Sequence, residues 1–194
     1  MQSILRPALV LFGALTLAVG VLYPLAVTGI GRVAFPDQAA GSLVTHRDKV
    51  VGSALIGQSF TSPRYFWGRP SATAPMASNA AGSSGSNQGA LNPALAETVK
   101  TRRDTLLAAD PGNMAPVPVD LVTASASGLD PEISVAAASY QAGRVARERG
   151  LARARVDELI SRHTVAQHLG FLGEARVNVL ALNLALDNEP RPAR

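Results

Sequence analysis

Between Arg6 and Arg32 the chain carries no charged side chain, and this stretch constrains the fold more than any other. From Pro7 to Gly31 it reads PALVLFGALTLAVGVLYPLAVTGIG. As a helix, the 23 residues from Ala8 to Ile30 would extend about 34 Å at about 1.5 Å per residue. That exceeds the about 30 Å hydrocarbon core of a bilayer, so one tilted span fits. A single segment in lipid has to satisfy its own backbone hydrogen bonds, which leaves helix as the solution. The span is expected to run through Ala8, Phe12, Leu17, Tyr23, Pro24 and Ile30, with Pro24 removing one ladder bond and bending the second half. A cleavable signal peptide is the alternative. Its apolar region is normally about 7–15 residues and ends in a small-residue cleavage site, whereas this one is longer with no clear Ala-x-Ala exit. The chain has no cysteine, which excludes a lipoprotein anchor.

About 160 residues follow, enough for one domain with a real core and too few for two. Glycine and proline number 17 and 13, so long irregular stretches are expected within that fold. The absence of cysteine rules out disulfides and thiolate metal sites and leaves the compartment open. A net charge of +4 rests on arginine, with Lys49 and Lys100 the only lysines, and no nucleic-acid motif accompanies it. The few lysines and arginines beside the span do not orient it, since a long following domain can be translocated regardless of charge.

Along the domain, Val51–Phe60 reads as one or two short strands broken by Gly52 and Gly57. Ser62–Ala72, SPRYFWGRPSA, places Tyr65, Phe66 and Trp67 against Gly68-Arg69-Pro70. It is either a loop pinned to the core by its rings or a recognition surface, where aromatics and arginine are the usual anchors. Ala74–Pro93 is a structured but irregular loop containing GSSGSNQG at 82–89. It is not a phosphate loop, because Ala90-Leu91 stands where that motif needs Lys-Ser/Thr. Asn92 is expected to cap a helix over Ala94–Ala109, and Val117–Ala124 alternates like an edge strand carrying Pro118. Asp130–Ser134 offers two helix-start signals, and helices are expected over Val135–Gly150 and Val156–Leu169. A last, buried helix is expected from an Asn178 cap to about Asp187, with a strand over Val177–Leu180 as the alternative. The whole is α+β: one N-terminal transmembrane helix followed by one mixed domain.

No catalytic constellation emerges. There is no cysteine nucleophile and no Gly-x-Ser-x-Gly elbow, and Asp120, Asp130 and Glu132 fall where capping explains them. Ser125, Ser127 and His163 have no spacing that favours a triad. His163 and His168 lie five apart, unlike the i, i+4 pair of a zinc helix. Arg144, Arg147, Arg149, Arg153 and Arg155 cluster at a helix junction and read as a solvated face or a contact for anionic lipid. No catalytic, cofactor or metal residue is assigned on this chain.

Several segments together resemble the C subunit of the bacterial potassium-transporting P-type ATPase, the Kdp complex. The residues carrying the match are Gly57-Gln58-Ser59-Phe60, Tyr65-Phe66 with Gly68-Arg69-Pro70-Ser71-Ala72, and Gly85-Ser86-Asn87 leading to Asn92-Pro93. They continue with Pro116–Asp120, Thr123-Ala124-Ser125 through Ser127–Pro131 to Ile133-Ser134, then Gly173-Glu174 and Val177–Leu180 to Leu186-Asp187. The family commonly has His where Trp67 stands, a fuller glycine run before Ser86-Asn87, and His or another residue where Glu132 stands.

The resemblance implies a single-pass accessory subunit of the bacterial inner membrane. In that arrangement residues 1–6 are cytoplasmic, 7–31 span the membrane and 32–194 form an extracytoplasmic domain. Its implied partners are a channel-like K⁺-binding subunit, a P-type ATPase subunit and a small membrane peptide, together with membrane lipid. ATP and Mg²⁺ would belong to the catalytic partner, and the role implied here is assembly and stabilisation. Tyr65, Phe66, Arg69, Ser86 and Asn87 are the candidate partner interface. A membrane-tethered extracytoplasmic hydrolase is the alternative.

Overall fold

The computed structural model describes residues 4–190, and these divide between two compact units, Met1–Leu43 and Val44–Arg194. In the first unit an unbroken helical run covers Leu5–Ala34. It comprises α1 (Leu5–Leu17), a π-helical turn (Ala18–Leu22) and α2 (Tyr23–Ala34), followed by the short α3 (Pro36–Ala39). At 30 residues the run is about 45 Å long, extending past the expected 7–31 span at both ends to include Arg6 and Arg32. None of its side chains is buried, as befits a helix whose solvent is lipid. The disturbance expected at Pro24 is a wide turn just before it, where the Tyr23 N–H donates to the Ala18 carbonyl, five residues back. Proline has no N–H for the i−4 ladder and its ring crowds the carbonyl four residues earlier; widening the preceding turn relieves that clash.

The second unit begins with a hairpin of β1 (Leu43–His46) and β2 (Lys49–Ser53), turning at Arg47-Asp48 with both residues at positive φ. Next come a long irregular stretch and α4 (Pro93–Ala109), which Asn92 caps by accepting from the Ala94 N–H at 3.0 Å. The core is built by β3 (Glu132–Ser134), α5 (Val135–Arg149), α6 (Arg153–His163), β4 (Thr164–Val165), β5 (Arg176–Asn178) and α7 (Val179–Asp187). Their antiparallel sheet has the order β3-β5-β4, with Val177 opposite both Ile133 and Thr164. Two strands run straight into helices, and the hinge residue serves both. Ser134 ends β3 and caps α5 through the Ala137 N–H (3.0 Å), while Asn178 ends β5 and caps α7 through the Ala181 N–H (3.0 Å). The terminal apolar run is therefore strand and then helix, with the asparagine as the joint.

Other expectations are corrected. Val117–Ala124 is not a strand: a 3-10 turn occupies Val119–Leu121, and the Asp120 carboxylate accepts from the Ser134 N–H (2.7 Å) and hydroxyl (3.2 Å). Pro118 cannot donate to a ladder, and Leu121 and Val122 are buried by the turn instead. Beyond Ser53, the strand expected through Phe60 is irregular. α6 stops at His163, short of Leu169, because the Thr164 hydroxyl donates to the Ile160 carbonyl (2.7 Å) and the chain turns extended to pair with β5. His168 thus lies outside the helix that carries His163. The start signals at Asp130–Ser134 open β3 before α5.

Candidate functional site

The Ser62–Ala72 loop crosses the domain in an extended course, and buried side chains hold its backbone. Asn183 on α7 accepts the Phe66 N–H (2.9 Å) and donates to the Phe66 carbonyl (3.0 Å). Gln141 on α5 does the same for the next residue, accepting the Trp67 N–H (2.8 Å) and donating to the Trp67 carbonyl (3.0 Å). The two amides stand in for a neighbouring strand, satisfying four backbone groups that burial would otherwise strand without partners. Arg144, only 2% exposed, donates to the carbonyls of Pro63 and Tyr65 and to the Gln141 amide oxygen, and its guanidinium stacks 4.5 Å from the Trp67 ring. Burial pushes its pKa down to about 10, against the opposing pull of Asp110 and Glu148. The Tyr65 hydroxyl donates to the Asp187 carboxylate, and Arg149, paired with Asp187 at 2.9 Å, covers the Tyr65 ring.

This geometry sorts the residues expected to face a partner. Phe66 is 0% exposed and belongs to the core, so its ring anchors the loop inward. Tyr65 and Arg69 are half-buried, and Arg69 pairs with Asp130 at 3.0 Å. Ser86 and Asn87 are exposed on the neighbouring loop, which is tied to the 125–128 turn by the Ser84 N–H donating to the Ser127 carbonyl (3.0 Å). The arginine cluster turns toward carboxylates: Arg147 pairs with Asp110, Arg149 with Asp187, Arg153 with Asp157 and Arg155 with Glu189, while Arg144 is buried.

Beside the loop lies a cleft of about 270 Å³. Ile56 to Thr61 form one stretch of its lining, and Trp67 to Ser71 form another. Asp130-Pro131, Val179-Leu180 and, from α4, Arg102, Thr105 and Leu106 also line it. Four of the segments that carried the resemblance, at Gly57–Phe60, Gly68–Ser71, Asp130-Pro131 and Val179-Leu180, thus meet in one place, whereas Ser86 and Asn87 do not line it. Two glycines make the approach possible. A Cβ at Gly57 would sit 2.6 Å from the Asp130 carbonyl oxygen, while the Gly57 N–H donates to the Leu129 carbonyl at 2.8 Å. Gly128 turns the chain at φ +68°, and a Cβ there would meet the Thr73 methyl at 2.5 Å.

Sequence reasoning missed Asn183, Gln141 and Arg102. The first two had a signal. Asn183 shares a face with Val179 and Leu186 at i−4 and i+3, and Gln141 with Ala137 and Val145 at i−4 and i+4. A polar residue on a buried face calls for a partner. Among the described residues no group of three or more His, Asp or Glu could hold a metal.

A helix of membrane-spanning length followed by an α+β domain with a cleft of its own defines a single-span membrane protein with one folded domain. The family model "K+-transporting ATPase, c chain" (KdpC) matches residues 5–188, and the chain belongs to that family. It is 66% identical over 187 residues to the potassium-transporting ATPase KdpC subunit of Herminiimonas arsenicoxydans, covering 96% of this chain and 98% of that one. It is 67% identical to the KdpC subunit of Polaromonas naphthalenivorans (96% and 95% covered) and 59% identical to that of Herpetosiphon aurantiacus (96% and 97%). By that family membership the chain is a subunit of a potassium-transporting ATPase.

Proposed function

We propose that this chain assembles and stabilises an ATP-driven potassium uptake complex from the extracytoplasmic face of the bacterial inner membrane. In this reading the helix Leu5–Ala34 is retained as the anchor, and the domain docks on the channel-like K⁺-binding subunit beside the ATPase subunit and a small membrane peptide. The observation that supports it is the convergence of four separated family motifs, at Gly57–Phe60, Gly68–Ser71, Asp130-Pro131 and Val179-Leu180, on one cleft. ATP and Mg²⁺ belong to the ATPase partner. The 82–89 loop has no basic residue between Arg69 and Lys100, and a phosphate site needs such a cation beside oriented N–H donors.

Protease added to intact spheroplasts is expected to digest the chain beyond Arg32, and complete protection would overturn the placement. Purified in gentle detergent, the chain is expected to bring stoichiometric large membrane partners; purification alone would overturn the assembly role. The full-length chain by itself, titrated calorimetrically with millimolar Mg-ATP, is expected to give no saturable signal. A signal lost on changing Ser86 or Asn87 would make the 82–89 loop a nucleotide site.

A further inference from the structure

The cleft carries an imbalance that its own residues do not cancel. Arg69 and Asp130 line it as a pair, whereas Arg102 has no carboxylate within 4.0 Å among the described residues. Among the described residues its guanidinium donates to the Val122 carbonyl alone, from Nη1 at 3.0 Å, which leaves the rest of the fork able to donate. Burial pushes its pKa down, the sign of a cation short of compensation. Across from it, Phe60, Trp67 and Val179 present a half-buried to buried apolar surface. At about 270 Å³ the cleft lies at the low end for a small-molecule site, and it has room for a side chain with its neighbour.

The α4 wall can yield. Of its 17 residues only Leu106 is buried, and Arg102 and Thr105 sit at the rim. A helix held by so little apolar burial is drawn from the low-stability end of a fold.

We propose that the cleft receives a segment of another subunit, which offers an apolar side chain to the Phe60–Trp67 wall and an adjacent Asp or Glu to Arg102. This rests on the reading of the chain as an assembly subunit and names where, and with what chemistry, the docking occurs. Charge complementarity selects the partner: the lining sums to one positive charge, and a carboxylate beside an apolar anchor cancels it while filling the cleft.

The test uses the assembled complex. A photo-crosslinking amino acid replaces Thr105 or Ser59, both exposed on the rim, and Glu148, exposed on α5, serves as the control. The two rim probes are expected to capture one short segment of one partner subunit with an Asp or Glu beside an apolar residue, and Glu148 is expected not to. R102E should reduce that capture about tenfold or more. Reversing the captured carboxylate to Lys should restore it. If R102E fails to fold, T105E keeps the test alive. It places a carboxylate three residues along α4 from Arg102 and should weaken capture at Ser59 in a chain of unchanged stability. Capture of lipid, of this chain's own residues 191–194, or of nothing, in a complex that still assembles, would overturn the proposal and leave the assembly reading standing. A chain that brings no partner at all would overturn that reading itself.

Discussion

The two walls of the cleft are held in opposite ways. On the loop side, Asn183, Gln141 and Arg144 grip the backbone of four residues between Pro63 and Trp67 from below, and Phe66 is sunk in the core. On the α4 side, Leu106 is the one buried side chain of a long helix, aided by the Arg102 bond to Val122. The core therefore holds the loop wall through many buried groups and holds α4 through Leu106 and the half-buried Val99 alone. A docking site gains from that division: a fixed surface sets the register of a partner, and a movable one closes on it. The contrast also explains why polar side chains lie deep in so small a domain. An extended loop cannot satisfy its own backbone, so helices supply amides in place of a strand.

Removing Phe66 should break the rigid wall outright. F66A is expected to destabilise the domain by about 3–5 kcal/mol, the usual cost of deleting a buried phenylalanine. Trp67, the only tryptophan in the chain, reports on this loop directly. Its fluorescence during urea unfolding of the detergent-solubilised full chain is the measurement, and an unchanged midpoint would show that Phe66 does not anchor the core. N183L tests the polar half of the same wall. It keeps the branching and heavy-atom count, adds some bulk, and leaves the Phe66 N–H and carbonyl unpartnered, for an expected loss of about 2–3 kcal/mol. A neutral result would mean that water replaces the amide.

How much of this contrast was legible in the sequence follows from what each wall rests on. The anchor was legible because charge exclusion over a bilayer's length needs no tertiary context, although the helix that carries it runs on to Leu5 and Ala34. α5 and α7 were legible because Ser134 and Asn178 are strong local caps before periodic apolar runs. Val117–Ala124 misled because its alternation was real, while Pro118 and the demand of Ser134 for the Asp120 carboxylate decided the backbone. The rings of Tyr65-Phe66-Trp67 suggested either surface or core. Which one applied depended on Gln141 and Asn183, more than 70 residues away in sequence. The cleft was invisible for the same reason: its lining comes from separate segments scattered between Ile56 and Leu180, and only the fold brings them together.

The adjustable wall can be loosened without touching the rigid one. L106A should cost about 2 kcal/mol, the low end for a buried leucine, because a helix free to settle closes part of the cavity. Hydrogen exchange is the sharper reading. Amides of α4 should exchange faster while those of α5 hold their protection. Equal acceleration in both helices would mean that α4 is integral to the core and that the contrast between the walls is false.

The smallest expected effect lies away from the cleft, where Arg155 on α6 bridges Glu158 and Glu189 and ties the end of the chain to that helix. The hydrogen bond from Arg155 holds both carboxyls below their ordinary values. A carboxyl whose folded value is depressed is protonated first in the unfolded chain. The stability it adds is present above the ordinary carboxylate pKa of about 4.3 and is lost as pH falls through the lowered folded value. E189Q should therefore lower the urea midpoint slightly at pH 7, and the gap from the unmodified chain should close on acidification below that range. Because Arg155 is partly open to solvent, added salt should shrink the gap at pH 7 as well, though not abolish it, since the Glu189 side chain is only 13% exposed. A gap that persists undiminished in acid would mean that Glu189 acts through packing and not through its charge.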